Sequence, residues 1–265
     1  MENRTSHEID FKIYGDDMQL VKIGLDNEES VIAEAGTMTM MDQDITLNTV
    51  FGDGSSQEEG VMGKLLGAGK RLLTGESLFM TVFTNKGAGK QNVYFSAPYP
   101  GKIIPMDLSQ HGGKIICQKD SFLCAAKGVS VGIAFTKRLG AGFFGGEGFI
   151  LQKLEGDGLV FVHAGGAIIK KTLEAGERIK VDTGCLVAMT QEVDYDIQMV
   201  SGIKSMLFGG EGLFFASLTG PGDIWVQSLP LSRLANRLYS ATTKTGGTSS
   251  EQGSILGTLG NMFQE

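Results

Sequence analysis

Apolar residues along this chain gather in short runs bounded by glycine, as in Phe79-Met80-Thr81-Val82-Phe83, Leu159-Val160-Phe161-Val162 and Ile224-Trp225-Val226. Short windows rich in β-branched and aromatic residues, closed by turn residues, predict strands. The i, i+3, i+4 spacing of a helix is scarce, so an all-β fold is expected. Two stretches break the pattern. Residues 51–73 begin polar and acidic and then become Val61-Met62-Gly63-Lys64-Leu65-Leu66-Gly67-Ala68-Gly69-Lys70-Arg71-Leu72-Leu73, with apolar residues on one helical face and Lys64, Lys70 and Arg71 opposite. After Leu238 the chain becomes rich in Thr, Gly and Ser, which predicts a flexible tail over 239–265.

The strand pattern repeats. Leu73-Thr74-Gly75-Glu76-Ser77-Leu78-Phe79, Phe144-Gly145-Gly146-Glu147-Gly148-Phe149-Ile150 and Phe208-Gly209-Gly210-Glu211-Gly212-Leu213-Phe214 share one form, with the glutamates 71 and then 64 residues apart. Each is followed by a Gly-x-Gly (Gly87-Ala88-Gly89, Gly156-Asp157-Gly158, Gly220-Pro221-Gly222) and then by a strand bearing an aromatic (Tyr94-Phe95, Phe161, Trp225). Upstream, Val31–Met38 aligns with Ile115–Phe122, and both align with Ile179–Cys185 at one residue less. This predicts one β domain over 1–238 made of three internal repeats, at about 10–100, 101–163 and 164–234. Residues 51–73 are an insertion in the first. Small β-sandwich or short β-helix modules, fused side by side, fit the period.

Glycine is 39 of 265 residues, about 15% against a usual share of roughly 7%. Three copies of the same strand corners multiply one need for positive φ. Stacked modules leave two open edges, so a homo-oligomer is expected. The net charge of −7 is uneven, because residues 1–60 hold 3 Lys/Arg against 14 Asp/Glu. An acidic chain argues against a nucleic-acid binder.

Cys117, Cys124 and Cys185 each sit among apolar neighbours, which suits free thiols in a reducing compartment. The first residues fit neither a secretory signal nor a transit peptide, and no apolar run approaches a membrane span, so a cytoplasmic protein is expected.

Glu76, Glu147 and Glu211 are read as carboxylates tying their own strand corners, with no second ligand at a fixed offset that would make a metal site. His7, His111 and His163 are scattered, without zinc spacing. Gly140-Ala141-Gly142-Phe143-Phe144-Gly145 fits Gly-x-Gly-x-x-Gly but lacks the strand–helix context of a dinucleotide site. No enzyme activity and no cofactor are expected. The candidate interaction residues are Lys64, Leu65, Leu66, Lys70 and Arg71, for a rim or subunit contact or for a peripheral membrane contact.

The repeated Gly-Glu-Ser/Gly-aromatic pattern, with the run Lys70–Phe79, resembles the altered-inheritance-of-mitochondria protein 24 family, domain-of-unknown-function family 124, in its bacterial form. The likeness covers roughly residues 10–235. It implies modules related to the fold of the tryptophan RNA-binding attenuation protein, of the short double-stranded β-helix type, and a trimer. It transfers no catalytic or binding residue. The function expected is a non-enzymatic oligomeric β-rich scaffold that binds proteins, with a membrane surface as a candidate place of work. The alternative is a module binding a small ligand or nucleic acid between repeats or subunits.

Overall fold

The computed structural model describes residues 4–34, 36–51, 79–137, 149–199 and 214–243. Strands β1 (Asp10–Tyr14), β2 (Leu20–Leu25), β3 (Ser30–Glu34), β4 (Met38–Met41), β5 (Ile45–Phe51), β6 (Phe79–Asn85) and β7 (Gln91–Ser96) come first. Then follow β8 (Gly101–Asp107), β9 (Lys114–Gln118), β10 (Phe122–Ala126), β11 (Ser130–Lys137), β12 (Phe149–Glu155) and β13 (Leu159–Gly165). The last are β14 (Ile168–Leu173), β15 (Arg178–Asp182), β16 (Leu186–Thr190), β17 (Asp194–Met199), β18 (Phe214–Thr219) and β19 (Gly222–Gln227). The chain is nearly all β, as the sequence pattern predicts.

The strands form four antiparallel sheets, ordered β1-β2-β7-β4, β5-β6-β3-β10-β13-β8, β11-β12-β9-β16-β19-β14 and β15-β18-β17. One pairing scheme is made three times. The ladders β5–β6–β3, β11–β12–β9 and β17–β18–β15 correspond, as do β4–β7–β2, β10–β13–β8 and β16–β19–β14. A bulge recurs at one place in the second set, between Met38 and Met40, Phe122 and Cys124, and Leu186 and Ala188. The registers put Leu186 at the position of Met38 and Phe122, so the third stretch is not a residue short there.

The two middle sheets are each built from both halves of this scheme. β3 pairs with β10, through Ala33↔Cys124 and Ile32↔Ala125, and β9 pairs with β16, through Cys117↔Ala188 and Ile116↔Met189. Alternation along each strand points residues to both faces, and both faces of the middle sheets are covered. Val21, Ile23, Val93 and Phe95 pack with Val31, Ala33, Cys124 and Phe161. Ile32, Ala125 and Val162 meet Ile115, Cys117, Ala188 and Trp225. Ile116, Met189 and Ile224 meet Val181, Ala216 and Leu218.

The Gly-x-Gly segments are corners at which the chain passes from one sheet to another, between β6 and β7, β12 and β13, and β18 and β19. At the first, buried Asn85 donates to Leu25 O (2.9 Å) and Gly89 O (2.7 Å), and its Oδ1 accepts from Gly87 N. At the second, a Cβ on Gly158 would stand 2.6 Å from Ser6 Cβ, so that glycine admits the N-terminal strap.

A helix, α1 (Leu231–Thr243), follows, in a second compact unit that begins at Ser232. The strand pattern of the sequence does not announce it, although Leu231, Leu234 and Leu238 have helical spacing. It runs past residue 238, and residues 244–265 lie outside the described residues. No helix among the described residues is long and apolar enough to cross a membrane.

Candidate functional site

The candidate interaction residues Lys64, Leu65, Leu66, Lys70 and Arg71 and the motif glutamates Glu76, Glu147 and Glu211 lie outside the described residues. In chain order the three glutamates fall between β5 and β6, β11 and β12, and β17 and β18. The candidate surface is therefore built from what the described strands expose.

Residues 4–7 strap the N-terminus across three turns. Arg4 pairs with Asp107 at 2.7 Å. Thr5 N and Oγ1 donate to Asp157 Oδ2 (2.6 and 3.0 Å), and Ser6 N donates to Asp157 Oδ1 (2.9 Å). Burial works to raise the Asp157 pKa, but these bonds outweigh it and hold the carboxyl at about 2. His7 Nδ1 accepts from Ser30 N at 2.8 Å. Each of these carboxylates has structural partners.

His163 is buried on β13, edge-on to Tyr99 with ring centroids 4.4 Å apart, and neither ring nitrogen makes a hydrogen bond. Burial pulls its pKa down to about 4 and pushes the Tyr99 hydroxyl up to about 12. At neutral pH the imidazole is uncharged and packed. Cys117 and Cys124 are buried free thiols whose pKa values burial raises well above the ordinary range. Among the described residues, no group of His, Cys, Asp and Glu could hold a metal ion.

The outward face and edge of the first sheet are different. Register aligns Lys12, Lys22, Tyr94 and Met40 in one row across β1, β2, β7 and β4. Their neighbours Val21, Ile23 and Val93 point inward to the core, so this row faces outward. Met40 is 53% exposed, and Met38, Met18 and Tyr14 are exposed as well. On the corresponding strands β10 and β16 every residue is buried. On β15, Arg178 and Lys180 are exposed, Ile179 and Asp182 half-buried and Val181 buried, whereas β3 and β9 are mostly buried. The sequence offered one signal for the first edge, the run Met38-Thr39-Met40-Met41, whose apolar residues do not alternate.

Comparison with known proteins places this architecture. The family model described as mitochondrial biogenesis AIM24 matches residues 11–229. An uncharacterized protein of Streptococcus pyogenes serotype M6 is 32% identical over 222 residues, 83% of this chain and 85% of that protein. A frataxin homolog, described as mitochondrial, of Schizosaccharomyces pombe is 32% identical over 73 residues only, 27% of this chain and 46% of that protein. A crystal structure of a Streptococcus pyogenes protein, 27% identical, superposes with a TM-score of 0.70 over 88% of this chain and all of that one. The chain belongs to the mitochondrial biogenesis AIM24 family.

Proposed function

We propose that this AIM24-family protein is a non-enzymatic, self-assembling β scaffold that acts by binding proteins. Its body is three copies of one six-strand module, β2–β7, β8–β13 and β14–β19, of the type the tryptophan RNA-binding attenuation protein uses. The observation that carries the reading is the exposed methionine edge of β4, at positions that are buried in the other two modules. Apolar edges left open in a soluble chain are a hazard unless another strand covers them. Assembly into a homo-oligomer, with three chains the favoured number, removes the hazard and presents repeated surfaces to partners. Buried, unbonded Cys117 and Cys124 fit work in a reducing compartment such as the cytoplasm. Sedimentation velocity at micromolar protein is the test. A mass that is a multiple of 28.2 kDa is expected, and a single-chain mass overturns the reading.

A further inference from the structure

We infer that copies of this chain join head to tail, β15 of one copy pairing antiparallel with β4 of the next to complete a sheet split between two chains. The inference rests on the reading of the protein as a self-assembling scaffold and adds the joint.

The argument comes from two joints the chain already makes. β3 joins β10, and β9 joins β16, each time turning two three-strand halves into one six-strand sheet. The scheme leaves one half over at each end. β15-β18-β17 lacks the strand that would continue it beyond β15, and β2-β7-β4 lacks the strand that would continue it beyond β4, among the described residues. These leftover halves are complementary, because one carries the joint's first strand and the other its second.

Burial follows the same logic. Met38 is 37% exposed, while its counterparts Phe122 and Leu186 are 2% and 0% exposed. Met40 occupies the place of buried Cys124 and Ala188. The aromatics agree. Tyr94 stands in register where Phe161 and Trp225 stand, each of which packs into the core of the module before it. Tyr94 has no preceding module in its own chain, and the β15 end of a second copy supplies one.

The internal registers fix the joint residue by residue. Ala33↔Cys124 and Cys117↔Ala188 predict Val181↔Met40 of the next copy. Ile32↔Ala125 and Ile116↔Met189 predict Lys180↔Met41. Lys180 departs from the isoleucines at its position, so its aliphatic stem lies over Met41 while the ammonium reaches the rim. The occupant is a second copy rather than an unrelated strand because these half-sheets match each other in strand order, bulge and register. A head-to-tail contact joins two different surfaces, so copies close into a ring when the rotation allows.

Disulfide trapping tests the joint in the full chain with Cys185 replaced by Ser. Met40→Cys chains are co-refolded with Val181→Cys chains and oxidised mildly. A covalent dimer linking position 40 to position 181, identified by peptide mass spectrometry, is expected. The pair Met41→Cys and Lys180→Cys serves if the buried Val181 substitution impairs folding. Met38→Glu/Met40→Glu alters only positions exposed in the single chain, and it should reduce the sedimenting mass to one chain with an unchanged circular dichroism spectrum. A 40–40 link, the absence of any 40–181 link between chains that still assemble, or an oligomer that survives the glutamates overturns the joint while leaving the scaffold intact. A monomeric wild-type chain overturns the scaffold itself.

Discussion

His163 is the residue whose chemistry is least expected from its neighbours in sequence. A histidine at the end of an apolar run reads as a rim residue, yet it is buried against Tyr99 with both nitrogens unpaired. Its pKa falls from an ordinary 6.5 to about 4 because burial penalises the charged ring. The unfolded chain therefore takes up the proton first as pH drops, and stability is lost progressively from about pH 6.5 down to pH 4. Burial lowers the His7 pKa as well, which adds to the loss with the same sign. The melting temperature should drop by several degrees between pH 7 and pH 4.5. His163→Gln should remove a large part of that drop, since Gln227 occupies the corresponding register position on β19 and is buried there. Parallel melts of the two proteins across the range decide it; identical pH profiles would remove His163 as the cause.

Strands were legible from apolar runs and glycine turns, and a recurrence was visible in the sequence because a Gly-x-Gly and then an aromatic follow each Gly-Glu motif. The partners of those strands were not. Nothing local in Ala33 or Cys124 says that they face each other, because the pairing joins residues about ninety positions apart. Helix α1 was missed for a simpler reason, that one short amphipathic stretch stands beside a polar tail that dominates its composition. The candidate residues of the insertion remain a sequence reading alone. At the element scale the shared sheets make a distinct claim about β13. Phe161 is buried in the core of the preceding module and touches Phe11 edge-on at 5.1 Å. Phe161→Ala should cost ~3–5 kcal/mol by urea unfolding. Tyr94→Ala, at the same register position on β7, should cost under about 1 kcal/mol in the isolated chain and act instead on assembly. Equal costs for the two would mean that the modules do not lend their aromatics to one another.

The three modules proposed above suggest beads that fold separately, and the sheet order argues against it. Each middle sheet takes half its strands from one module and half from the next, so no cut between modules leaves both with closed cores. Residues 1–231 form a single compact unit accordingly. One consequence separates the two pictures. Leu154 on β12 is fully buried in the core between the two middle sheets. Leu154→Ala should cost ~2–5 kcal/mol. If the modules were independent, amide exchange would quicken only near β12 while β2 and β7 kept their protection. In a stack of shared sheets, losing the middle core removes the lid over Ile32, Val82 and Ala125, and with it the support of β3 and β6 against the first core. The slowest amides of β2 and β7 should then exchange faster by the factor set by the whole stability loss, each 1.4 kcal/mol being about tenfold. Native-state hydrogen exchange on the variant under conditions that disperse the oligomer measures this. Unchanged protection of Val21, Ile23 and Val93 would favour beads over a stack.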